Sequence, residues 1–124
     1  MGMFKKKVKV FNPIDSTKNF EEEFWVDTGA LYSFIPKNLL DKIDFEPEGT
    51  KNVLFANGTI DRKLFGSCKF EIEGFPDRIT CPVIAGSEGS LLLLGATAME
   101  NFSVEADPIN KELKPGMAII ATAC

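Results

Sequence analysis

The pair Asn57-Gly58 stands between two runs of extended-type residues, KNVLFA (51–56) and TIDRKLFG (59–66). Asn-Gly between such arms predicts a β-hairpin closed by a type I′ turn. The rest of the chain reads the same way. FKKKVKVF (4–11) sets Val8 and Val10 against Lys7 and Lys9. SCKFEIEG (67–74) puts Cys68, Phe70 and Ile72 on one face and Lys69, Glu71 and Glu73 on the other. FEEEFWV (20–26) runs from exposed acids into an apolar end, and YSFI (32–35) continues extended. RITCPVIAG (78–86) is a further strand, confined by Pro82 to an edge or bulge position. LLLLG (91–95) reads as a fully buried strand ended by glycine. SVEADPINKELKP (103–115) is a second hairpin that turns at Asp107-Pro108, and the apolar tail GMAIIATAC reads as one more strand. Helical spacing is confined to KNLLDKI (37–43), opened by Pro36, and to a turn or two in ATAMENF (96–102). With 124 residues there is room for one core, so the expectation is a single domain over 1–124. Its expected class is all-β, closed, with one or two short helices.

Charge and residue usage narrow the function. A formal charge of −4 argues against a nucleic-acid surface, which needs clustered cations. The one basic run, Lys5-Lys6-Lys7 with Lys9, is expected on a solvated first strand. No stretch has the length of a membrane span or an apolar signal core, so no membrane role is expected. Three cysteines without CxxC spacing read as reduced thiols and point to the cytoplasm. Histidine is absent altogether, which removes Ser-His-Asp and Cys-His catalysis and argues against zinc. Hydrolytic chemistry in this chain must rest on carboxylates, Lys, Tyr or a cofactor.

One carboxylate is out of place. FWVDTGALYSFIP (24–36) is almost wholly apolar, yet Asp27 stands inside it, followed by Thr28 and Gly29. Burying an unpaired carboxylate costs several kcal/mol or forces it to take up a proton. Either Asp27 ends a strand at a solvent turn, or the chain places an acid in a partly dry site. Asp15, Asp41, Asp44 and Asp61 read instead as surface or turn acids.

The ordered set of apolar strand, Asp-Thr-Gly-Ala, SFIP, an ANG hairpin and apolar residues ending in Gly95 resembles the retropepsin-like aspartic proteases. The resemblance is to their single-domain bacterial and archaeal members in particular, such as those with a DP-N-K/R-L hairpin near the C-terminus, and it covers roughly residues 20 to 115. It implies a closed acid-protease barrel with a flap hairpin. It also implies an aspartic endopeptidase in which Asp27, Thr28 and Gly29 form the catalytic motif. Aspartic-protease dyads are the standard case of two carboxylates sharing one proton: the charged one takes a proton from a water between them and the neutral one polarises the peptide carbonyl. This chain has one Asp-Thr-Gly, so the second acid must come from another copy, and a homodimer acting on a polypeptide is implied. No cofactor or metal is implied.

By the same resemblance the Gly29 amide holds the carboxylate in plane, and the Thr28 hydroxyl reaches across to the partner. Substrate contact falls to Ala30, to the flap residues Leu54, Phe55, Ala56, Asn57 and Gly58, and to Leu93 and Leu94. Trp25 reads as core. Retroviral relatives usually carry an acid after Asp-Thr-Gly-Ala and an Arg after the later Gly; here these positions hold Leu31 and Ala96, and an apolar contact is expected in place of the ion pair. The alternative reading is a catalytically silent module that keeps the fold, dimerises and binds peptides. A glycosidase-type hydrolase would need two acids in one chain, and no second acid has a matching apolar setting.

Overall fold

A computed structural model describes residues 4 to 116. The strand expected in the apolar tail, and Cys124, lie outside the described residues. In chain order the elements are β1 (Lys5–Phe11), β2 (Asn19–Val26), β3 (Ser33–Pro36), α1 (Lys37–Asp41), β4 (Gly49–Leu54), β5 (Ile60–Ile72), β6 (Arg78–Gly86), β7 (Leu93–Leu94), α2 (Ala96–Asn101), β8 (Val104–Asp107) and β9 (Glu112–Pro115).

Seven of these strands form one sheet in the order β1-β2-β7-β3-β6-β5-β4, and a further pairing of β1 with β5 closes it into a barrel. Closure depends on the 13-residue β5. Its first half pairs with β4, its middle with β6 and its last four residues with β1. The β4–β5 hairpin therefore projects beyond the closed ring. The second hairpin, β8–β9, forms a separate two-stranded sheet. At its turn Asp107 Oδ1 accepts the amides of Ile109 and Asn110, and Lys111 takes a positive φ of 53°.

Alternation sorts the side chains. Val8 and Val10, Phe24 and Val26, Ile35, Cys68, Phe70 and Ile72, Cys81 and Val83, and Leu94 point inward and form the core. Phe24 and Phe70 meet with ring centroids 5.9 Å apart. Cys68 and Cys81 sit opposite each other in register as buried free thiols. Burial pushes Cys68 up to about 12 and Cys81 up to about 11, so both remain protonated and unreactive at neutral pH.

Four local expectations need correction or refinement. The hairpin turn is not type I′. The Gly58 amide donates to Phe55 O at 2.9 Å and the Phe55 amide to Thr59 O at 2.9 Å, while only Gly58 has a positive φ, +86°. This is a type I turn followed by a left-handed glycine, because Asn57 spends its side chain accepting from the Thr59 amide and hydroxyl. LLLLG is not a buried strand throughout: Leu91 is exposed, Leu92 and Leu93 are half-buried, and only Leu94 is enclosed. The helix after Pro36 stops at Asp41, and a positive φ of 53° at Asp44 turns the chain away. Pro82 lies in β6, a strand flanked on both sides; it sits one residue before the segment that pairs with β3, where β6 has β5 alone beside it.

Candidate active site at Asp27

Asp27 follows directly on β2, and its backbone is gripped from two sides. The Trp25 and Asp27 amides donate to Leu92 O and Leu94 O at 2.9 and 3.0 Å, while the Val26 amide donates to Phe4 O on the other side at 2.9 Å. The loop that follows returns to the start of α2. The Ala96 amide donates to Ala30 O at 2.7 Å, and the Thr97 amide to Leu31 O at 3.0 Å. The Gly95 amide donates to the buried Ser33 hydroxyl at 3.0 Å. Gly95 is required here: a Cβ would lie 2.5 Å from Tyr32 C and 2.6 Å from Tyr32 O.

Main-chain hydrogen bonds thus join the Asp27 loop to the start of α2. The expected apolar contact between Leu31 and Ala96 is not what holds the loop, because Leu31 is 62% exposed and main-chain hydrogen bonds join the two segments.

Asp27 and Ser33 are the two buried polar side chains among the described residues, with Asp27 only 8% exposed. Asp27 Oδ1 accepts the Gly29 amide at 2.9 Å, which fixes the carboxylate against its own loop and offsets part of its desolvation. Thr28 and Gly29 lie exposed beside it, and Ala30 is half-buried.

Cross-strand register reveals a feature that sequence reasoning missed. Trp25 lies opposite Leu93, Leu93 opposite Phe34, Phe34 opposite Ile84, and Ile84 opposite Phe65. Partners in register share a face, so these five side chains form an apolar band, in which Trp25, Leu93, Phe34 and Phe65 are half-buried and Ile84 is fully buried between Phe34 and Phe65. Asp27 continues the same face two residues beyond Trp25. The expectation that Trp25 belongs to the core is corrected: Phe24 and Val26 point inward and Trp25 points out, half-buried. The i, i+2 spacing from Trp25 to Asp27 was the available signal. Phe34, Ile84 and Phe65 left none, because register is not written in any one strand.

Both ends of the band carry a cation over a ring. Lys5 Nζ lies 4.9 Å from the Trp25 ring centroid, and Lys51 Nζ 4.9 Å from that of Phe65. Tyr32, from the Asp27 loop, packs on Phe65 with centroids 5.2 Å apart, linking that loop to the base of the β4–β5 hairpin.

Of the residues singled out in the sequence, the fold brings Asp27, Thr28, Gly29 and Ala30 together in one loop and sets Leu93 beside Trp25. Leu94 is enclosed in the core and presents no surface to a ligand. Leu54, Phe55, Ala56, Asn57 and Gly58 lie at the exposed tip of the hairpin. Among the described residues no cluster of His, Cys, Asp and Glu could hold a metal ion, and no helix is long and apolar enough to cross a membrane.

No family model matches the sequence, and no curated protein matches it. Solved structures do resemble the fold. The protease of simian foamy virus (mac) is 17% identical, with a TM-score of 0.54 over 77% of this chain and 90% of that one. The EIAV protease in complex with an inhibitor is 12% identical, with a TM-score of 0.55 over 77% and 84%. The retroviral protease-like domain of Ddi1 from Leishmania major is 14% identical, with a TM-score of 0.56 over 90% and 88%. The closed, mostly β architecture is thus a retropepsin-like fold.

Proposed function

We propose that this chain is an aspartic endopeptidase, active as a homodimer, in which Asp27 from each of two copies forms the catalytic dyad. The observation that carries this reading is the Asp27 carboxylate. It is nearly dry, held by the Gly29 amide at 2.9 Å, and set on the same face as an apolar band. Facing a twin across a two-fold axis, it shares a proton with that twin and so stays in the site at lower cost.

In the mechanism the charged member of the pair takes a proton from a water between the carboxylates, and the water attacks the peptide carbonyl. The protonated member donates a hydrogen bond to the carbonyl oxygen, and the proton then passes to the leaving amine. The Gly29 amide keeps the carboxylate plane fixed through these transfers. Thr28, exposed next to it, is positioned to reach the partner subunit and set the spacing of the dyad. The β4–β5 hairpin closes over the bound peptide, with Leu54, Phe55 and Ile60 supplying apolar contact and the hairpin backbone supplying strand-like hydrogen bonds. The protein acts as a single domain and works in the cytoplasm.

The test is cleavage of an unfolded protein between pH 4 and 7 by wild type and by Asp27→Asn, with and without a statine-type inhibitor. Cleavage that vanishes in the variant, and in wild type with the inhibitor, supports the protease. Peptide binding without cleavage by wild type supports the silent binding module instead.

A further inference from the structure

The apolar band beside Asp27 ends, on both sides, in a lysine that the proposed chemistry does not use. Lys5 is exposed on β1 directly opposite Trp25. Lys51 is exposed on β4, one pleat from Gly49, which lies opposite Phe65. Each ammonium sits 4.9 Å from its ring centroid, so the ring face locates the charge while leaving donors free to point outward.

The neighbouring charges do not cancel this pattern. Lys63, opposite Lys51, is occupied by Asp61 at 3.2 Å and by the Ser87 hydroxyl at 2.9 Å. Glu23 faces Lys7, one pleat further from Asp27 than Lys5. An apolar floor with a located cation at either end is complementary to a ligand that is apolar in the middle and anionic outside it.

Resting on the reading of this site as a peptide site, we propose that it selects extended peptides with an apolar centre flanked by acidic side chains. Lys5 and Lys51 receive the carboxylates, and the Trp25–Phe65 band receives the centre. In a chain of net charge −4, this preference requires local cations, because the overall field repels acidic ligands.

The experiment uses the full chain carrying Asp27→Asn, so that binding is read without cleavage. Three peptides share one apolar centre and differ only in flanks of Glu, Gln or Lys. Affinity is measured by calorimetry, and Trp25, the single tryptophan, reports fluorescence change at the site. The expected order is Glu over Gln over Lys, spanning roughly tenfold at low salt and shrinking as salt is raised. Adding Lys5→Gln with Lys51→Gln should abolish the order while leaving the Gln-flanked peptide bound as before, which controls for folding.

Equal binding of the three peptides, an order that survives the double variant, or no binding at all overturns the proposal. The wild-type chain separates it from the protease reading. Ordered binding without any cleavage retains the selectivity and removes the protease. Cleavage indifferent to flanking charge does the reverse.

Discussion

The Asp27 loop and the β4–β5 hairpin are built on opposite plans. The loop is short and over-determined, with the Asp27 side chain buried in it: its backbone bonds to β7, to Phe4 and to the start of α2, and Ser33 locks Gly95 beneath it. The hairpin has almost nothing but its own ladder. Five of the six residues of β4 are exposed, and Leu54 and Ile60, opposite each other near the tip, are 71% and 69% exposed. Local opening is cheapest where buried contacts are few. On the proposed reading the difference teaches how one chain would divide the work: the element holding the reacting carboxylate is tied down, and the element that would admit a polypeptide has few contacts to restrain it. Tyr32 packed on Phe65 is the observed contact between the two regions.

That contrast can be broken by substitution, and the loop should yield the largest effects. Gly95→Ala would force a Cβ to within 2.5 Å of the Tyr32 backbone, which cannot give way as a flexible side chain would. A loss of about 3 kcal/mol is expected from overpacking at such a site, measured as a drop in the denaturant midpoint. A midpoint within experimental error of wild type would show that the loop is not over-determined. Ser33→Ala comes next. It leaves the Gly95 amide without its partner in a buried setting, and about 1–3 kcal/mol should be lost. The smallest effect on stability belongs to the hairpin, where Leu54→Ser with Ile60→Ser should stay within ~0.5 kcal/mol of wild type because neither side chain is buried. The same double variant should weaken peptide binding. Unchanged binding would show that the hairpin does not touch the ligand.

The two regions also differ in how legible they were. Alternation in SCKFEIEG fixed which residues of β5 point inward, and Cys68, Phe70 and Ile72 do. The Asp-Thr-Gly run pointed to the candidate site because a carboxylate inside an apolar run is costly to bury, and Asp27 is buried. What stayed hidden depended on long-range register. Nothing within β6 announces that Ile84 will lie between Phe34 and Phe65, because each partner comes from another part of the chain. Leu94 was misjudged for a related reason: a run of four leucines carries no alternation, so the face each one takes is decided by the strands beside it. The hairpin turn was misjudged locally, since Asn57-Gly58 serves two turn types and the hydrogen bonds from Thr59 to the Asn57 side chain favour the one that was not expected.

The central claim is that two copies of Asp27 act on one water, and subunit mixing tests it most directly. Wild-type chain is unfolded and refolded together with Asp27→Asn chain in varied ratio at fixed total concentration, and peptide cleavage is measured. A shared dyad predicts that activity falls as the square of the wild-type fraction, because mixed dimers carry one acid and are silent. A linear fall, with each wild-type chain cutting regardless of its partner, would contradict the account.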